Sequence, residues 1–261
     1  MSSAVTRDMA HCYRLHRPPF PQALLDDLLT RARTAPEDSL LDLACGPGRI
    51  ALALAPRFVS VTAIDLEPEM IAEGKRAAAE RGIANVTWHV ARAEDFAPRG
   101  KYQLVTIGDA FHRFDPANVL GKAKSWLAPG GAVAILRTLD TLSGTEAWHH
   151  AVRDIIANYT DKDPAKLAAP TIVPDDVERA LDAHGFHDVA SFTFTAPCDW
   201  SLVSILGNLA STSFCATHIL DRRAEAFAAE ATGALAPFAE NGVLRETLSF
   251  GYTIGVTPPS P

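Results

Sequence analysis

The stretch Leu40-Leu41-Asp42-Leu43-Ala44-Cys45-Gly46-Pro47-Gly48 decides how this chain is read. An apolar, strand-like run, Ser39–Leu43, stops at a glycine-rich turn, and an apolar run with helical spacing, Arg49–Ala55, follows it. Gly46 and Gly48 let the backbone turn sharply and approach a ligand with no Cβ in the way. The free N–H groups of the helix start then point toward whatever occupies the turn.

Outward from this point the alternation continues. Val59–Ile64 is a β-branched strand ending at Asp65, and Glu69–Arg81 is a helix stopped by Gly82. Val86–Val90 and Leu104–Ile107 read as strands and Ala117–Leu127 as a helix; Ala128-Pro129-Gly130-Gly131 reads as a tight turn into a fifth strand, Ala132–Leu136. Upstream, Arg17-Pro18-Pro19-Phe20-Pro21 leads into a helix over Ala23–Arg33. Apolar strands separated by helices predict a parallel sheet covered on both faces. Right-handed connections then bring the carboxyl ends of the strands to one edge, where open α/β sheets bind ligands.

The second half reads differently. Glu146–Tyr159 and Pro174–His184 have helical spacing, with Gly185 as a C-terminal stop. Val189–Ala196 and Leu244–Val256 alternate as strands, with an apolar, Ser-rich run over Leu202–Phe214 and an Ala-rich helix from Asp221 to about Glu240 between them. The expected architecture is Rossmann-like and doubly wound: a mostly parallel seven-stranded sheet with an antiparallel late strand and a helical lid. Residues 1–38 are assigned to an N-terminal cap and first helix and 39–140 to the ligand-binding core. Residues 141–261 complete the sheet, with the lid insertion at about 199–240.

Composition narrows the function classes. Net charge is −7 over 261 residues, with no local Lys/Arg tract, which disfavours a nucleic-acid partner. Cys12, Cys45, Cys198 and Cys215 are scattered without a CxxC pair, so neither a zinc site nor a disulfide framework is expected. The N-terminus lacks the apolar core of a signal peptide and no run is long enough to span a bilayer, so a cytoplasmic protein without a membrane partner is expected.

Taken alone, Gly46-x-Gly48-x-x-Ala51 also fits a dinucleotide fingerprint, with Asp65 near the offset at which an acid accepts from a ribose diol. Asp42 argues against that reading, because a carboxylate beside the loop would repel a diphosphate and suit a cationic group. Each residue also has a local explanation: Asp42 bonding its own loop, Asp65 serving a turn, the glycines serving only chain geometry. It is the ordered set that argues for a ligand site.

The set resembles class I methyltransferases that use S-adenosylmethionine (SAM), in the small-molecule branch with a methyltransferase domain of the type 11 kind. Leu41–Gly48 is similar to their first motif and Val61–Met70 to their second; Ala93-Glu94-Asp95-Phe96 is similar to the third. Tyr102–Thr106 with Ala110–Asp115 resembles the fourth, and Leu127–Gly131 the fifth. Carried over residue by residue, the resemblance implies that Asp42, Ala44 and Gly46 surround the methionine moiety in the loop closed by Gly48. It implies that Asp65 holds the ribose with Leu66 against the adenine, that Ala93 and Glu94 meet the adenine edge, and that Asp109 lies near the sulfur. Ala44 replaces the usual first glycine, and Arg92 stands where many relatives carry an adenine-binding Asp.

Methyl transfer from a sulfonium needs alignment, and sometimes a base, but no metal or protein nucleophile. His112, after the fourth strand, is the candidate base, with helix capping or packing as its local alternative. Trp148, His149 and His150 are adjacent on a helix and cannot all face one pocket. Ser211, Ser213 and Phe214 lie in the expected lid. No Asn/Asp-Pro-Pro-Phe/Tyr run follows the fourth strand, which disfavours nucleobase amines. The expectation is a methyltransferase releasing S-adenosylhomocysteine (SAH), with a small-molecule acceptor and oxygen preferred over nitrogen or carbon. A SAM-binding protein of this fold that catalyses another reaction, and an NAD-dependent oxidoreductase, are the alternatives.

Overall fold

The structure is a computed structural model that describes residues 6–98, 100–139, 141–167, 169, 171–216 and 220–259. Met1–Val5 of the N-terminal segment, Thr217–Ile219 of the expected insertion, and Ser260-Pro261 of the Pro-rich tail lie outside the described residues.

Leu40, Leu41 and Leu43 leave β1 (Ser39–Leu43) no solvated face, which suits a central strand covered on both sides. It pairs in parallel with β2 (Ser60–Asp65) on one side and with β4 (Tyr102–Gly108) on the other, Leu41 opposite Thr62 and Val105. β3 (Val86–Val90) extends the sheet beyond β2, and β5 (Leu127–Leu139) extends it beyond β4. With β6 (His187–Ser201) and β7 (Val243–Val256), the order is β3-β2-β1-β4-β5-β7-β6, a mixed sheet with one antiparallel edge. The order reverses at β1, so the loop after Leu43 lies at the switch point where doubly wound sheets bind ligands.

The chain divides into two compact units. The first comprises residues 20–138, 171–194 and 250–261; the second comprises 1–19, 139–170 and 195–249. In the first unit, helices α2 (Gln22–Arg31), α3 (Ala51–Leu54), α4 (Pro68–Glu80) and α5 (Pro116–Trp126) accompany strands β1 to β5. A core cluster runs from Leu41, Ile64 and Ile107 through Val119 and Leu120 to Ile135 and Phe186. The second unit is mainly helical. It contains α1 (Arg7–His16), α6 (Ala147–Tyr159), α7 (Pro164–Leu167), α9 (Leu202–Ala210) and α10 (Ala224–Leu235), while α8 (Pro174–Ala183) belongs to the first unit.

Several boundaries differ from the sequence reading, each for a local reason. The helix expected over Arg49–Ala55 is only Ala51–Leu54, continued by a 3-10 turn over Ala55–Arg57 where Pro56 supplies no N–H donor. The turn at Ala128–Gly131 lies within β5 as a register shift: Tyr102 pairs with Leu127, but Leu104 pairs with Ala132. α1 was not anticipated; the Thr6 hydroxyl caps it by accepting from the Met9 N–H. The Leu202–Phe214 run is α-helical only to Ala210, and the expected Asp221–Glu240 helix is α-helical over Ala224–Leu235 and 3-10 over Asp221–Arg223 and Ala236–Phe238.

The Trp88 indole on β3 fills a notch made by two glycines. A Cβ built at Gly48 would lie 2.5 Å from it, and one at Gly74 on α4 only 2.4 Å. Helix propensity alone favours Gly74→Ala by about 1 kcal/mol. The added methyl overpacks the indole instead, and the variant is expected to lose roughly 1–3 kcal/mol in a denaturant titration. A more stable Gly74→Ala protein would contradict this packing.

Candidate functional site

The nine residues assigned to the cofactor and the candidate base His112 lie in the first unit, most of them in the loops at the carboxyl ends of β1, β2, β3 and β4. After Leu43 the chain enters left-handed backbone at Ala44 (φ +51°), Gly46 (+54°) and Gly48 (+85°). The turn is pinned by Cys45 N–H to Ile64 O (2.9 Å) and by Gly48 N–H to Cys45 O (3.0 Å). Ala44 carries this conformation with a Cβ, which costs energy that glycine would not.

Asp42 does not project into the loop as an open charge. It is 1% exposed, and both of its oxygens are engaged: Oδ1 accepts from the Thr106 hydroxyl (2.7 Å) and Oδ2 from the Ala51 N–H (3.1 Å). Burial, opposed by these two hydrogen bonds, pushes its pKa up to about 7. Asp42 therefore does not repel a diphosphate as an open charge. The carboxylate fills the start of α3 from inside, where a phosphate would otherwise accept from free N–H groups. Thr106, a hydroxyl inside the apolar run Leu104–Ile107, was the available signal for this partner.

Asp65 ends β2 and is bonded to the same loop. Its Oδ2 accepts from Gly46 N–H (2.8 Å) and its Oδ1 from Glu67 N–H (2.9 Å). Burial raises its pKa, and these two bonds oppose the rise. A carboxylate has about four lone-pair sites, so two remain for a ligand diol. Next to it, Leu66 is 55% exposed, an apolar side chain in solvent at the strand end. Ala93 and Glu94 lie in a 3-10 turn after β3; Ala93 is buried, and the Lys122 ammonium donates to the Glu94 carbonyl. Arg92 lies 3.8 Å from the Glu94 carboxylate and 3.6 Å from that of Asp95.

Asp109 follows β4 with φ +51° and joins a network that the sequence reading missed. Arg49 Nη1 donates to its Oδ2 (2.6 Å), and the Thr138 N–H donates to its Oδ1 (2.6 Å). The position of Arg49 directly after Gly48 was the only sequence signal. His112 lies on a 3-10 turn over Phe111–Arg113 with its side chain exposed. Partial desolvation, then the neighbouring Arg113, lowers its pKa, so it is neutral and able to accept a proton at neutral pH.

Within the second unit, Trp148 and His149 stack at 3.7 Å between ring centroids. His149 Nδ1 accepts from the Glu146 N–H (3.0 Å), so Nε2 carries the proton and donates to Glu246 Oε2 (3.0 Å). The Trp200 indole N–H donates to the other oxygen of Glu246. His149 is thus fully engaged. His150 Nδ1 bonds Arg153, and Ser211 accepts from Arg17 Nε (2.9 Å).

Residues 40–131 match a family model described as a methyltransferase domain. The ubiquinone biosynthesis O-methyltransferase of Xanthomonas euvesicatoria pv. vesicatoria is 33% identical over 111 residues, 41% of this chain and 44% of that protein. A structure from Anaeromyxobacter dehalogenans, described as a candidate type II methyltransferase, superposes with a TM-score of 0.62 at 24% identity, over 94% of this chain and 99% of that one. Phosphoethanolamine N-methyltransferase 2 of Haemonchus contortus, solved in complex with S-adenosyl-L-methionine, gives 0.56 at 14% identity, over 96% of this chain and 56% of that one. Several curated relatives are RNA methyltransferases, of whose length the chain spans 12–19%.

Asp42 yields a test of its burial. Its folded pKa lies above its unfolded value of about 3.9, so the stability it contributes is complete below about pH 4 and is lost as pH rises through about 7. Wild type is expected to lose thermal stability relative to Asp42→Asn between about pH 4 and 7.5. A pH-independent gap between the two melting temperatures would refute the burial. Among the described residues, no helix is long and apolar enough to cross a membrane. Residues 40–131 of the chain are similar to the methyltransferase-domain family.

Proposed function

We propose that this chain binds SAM at the Ala44–Gly48 loop and transfers its methyl group to a small-molecule acceptor, with oxygen preferred over nitrogen or carbon. The observation that carries this reading is the division of labour between two acids. Asp42 caps α3 from within, which takes the seat a diphosphate needs, while Asp65 keeps lone pairs at the next strand end, where a ribose diol fits. The exposed Leu66 suits the face of a purine. The strand order agrees, since a dinucleotide fold runs 3-2-1-4-5-6 whereas here β7 lies between β5 and β6.

In this reading Ala44 and Gly46 take the methionine moiety with Asp42 behind them, and Ala93 and Glu94 border the adenine. Asp109 lies toward the sulfur. SAM, when bound, supplies a methyl already activated on a sulfonium; the chain aligns it and accepts a proton from the acceptor hydroxyl. His112 serves as that base, because its lowered pKa keeps it unprotonated near neutrality.

RNA is the competing acceptor, raised by the RNA methyltransferases among the relatives. The net charge of −7 and the lack of a basic tract speak against it, since binding to phosphate backbones needs neutralising cations. The ubiquinone O-methyltransferase match extends over 41% of this chain against 33% for the first RNA relative.

Four measurements test the reading. SAH is expected to raise the melting temperature and NAD to leave it unchanged; stabilisation by NAD alone would overturn the SAM assignment. Asp65→Ala should weaken SAH binding at least tenfold in a folded protein, through loss of a charged acceptor; unchanged affinity would refute the ribose role. Methyl transfer from labelled SAM is expected onto small hydroxylated acceptors rather than RNA, with activity falling only below about pH 6.5. His112→Ala should lower turnover and abolish that acid limb, and full turnover with the limb intact would rule out the base.

A further inference from the structure

Arg49 is the first residue after the glycine loop, and its side chain is 11% exposed. Its planar fork spans two acceptors: Nη1 donates to Asp109 Oδ2 (2.6 Å) and Nη2 to Thr138 Oγ1 (2.8 Å). The Phe20 ring lies 4.0 Å from its Cζ. Thr138 completes the ring of bonds, its N–H donating to Asp109 Oδ1 (2.6 Å) and its hydroxyl to Oδ2 (3.0 Å). The Asp109 N–H is itself held by the Leu136 carbonyl (3.0 Å). One carboxylate therefore ties the β1 loop, the end of β4 and the end of β5 together.

Two features show that this arrangement is retained against a cost. Asp109 adopts left-handed backbone with a side chain present. Among the described residues, the Arg49 Nε–H is buried without a hydrogen-bond partner, a loss of the kind that costs about 1–3 kcal/mol. A lysine would avoid the orphaned N–H, but a single ammonium does not present two donors in a fixed plane.

We propose that Arg49 is a positioning residue of the cofactor site. It acts through Asp109, holding the turn after β4 in the conformation that faces the sulfur-bearing end of the ligand. The proposal rests on the SAM reading of the site. It also makes Asp109 one half of an ion pair rather than a free anion, so Asp109 sets shape there more than charge.

The test is a double-mutant cycle in SAH affinity, measured by calorimetry on the full chain with Arg49→Met, Asp109→Asn and the pair. Each single variant is expected to weaken SAH binding about tenfold, and the pair no more than the worse single, because both remove the same link. Arg49→Lys should recover only part of the Arg49→Met loss. Losses that multiply to about a hundredfold, or wild-type affinity in Arg49→Met, would overturn the proposal. Wild-type protein that fails to bind SAH would instead defeat the SAM reading itself. Should Arg49→Met not fold, Arg49→Lys against Asp109→Asn gives the same comparison, and additive losses there overturn it equally.

Discussion

Asp42, one residue before the end of the central strand, has one oxygen on the Thr106 hydroxyl and the other on the Ala51 N–H. The rest of the site depends on that bridge. It ties β1 to β4 and sets the start of α3, and between those two anchors the chain must turn within a few residues. The left-handed conformations at Ala44, Gly46 and Gly48 follow from that constraint. Asp65 then reaches the loop from the neighbouring strand through the Gly46 N–H. The buried Asp42 and the partly buried Asp65 thus shape one loop, and desolvation pushes both toward protonation.

Buried carboxylates are costly, and a stability argument alone would favour apolar replacements. Their retention is understandable if the loop must be rigid before a ligand arrives, because ordering it on binding would consume affinity. The ion pair of Arg49 with Asp109 extends the same logic to the ends of β4 and β5. The second unit has a buried polar network of its own, His149 with Glu246 and Trp200, which accounts for His149 without reference to a ligand.

The first four strands were legible because they are short, largely apolar runs separated by turn residues. Ser39–Leu43 and Val86–Val90 match the observed strands at both ends. Boundaries failed where tertiary bonding overrode local pattern. The β5 bulge at Ala128–Gly131 looks like a turn because nothing local reveals its pairing with Tyr102 and Leu104. The site was legible as a set of loops and only partly as a set of contacts. Sequence spacing placed Asp42 near the glycines but did not reveal that Thr106, 64 residues away, turns it inward. In the sequence Arg49 reads as the opening of a helix, because its partners, Asp109 and Thr138, become neighbours only when β1, β4 and β5 align.

A crystal structure with SAH tests most directly the claim that an internally capped glycine loop receives a nucleoside. The account predicts ribose hydroxyls within hydrogen-bond distance of Asp65, with Asp42 still accepting from Thr106 and Ala51. A nucleoside lodged elsewhere, or Asp42 swung out to meet the ligand's amino group, would contradict it.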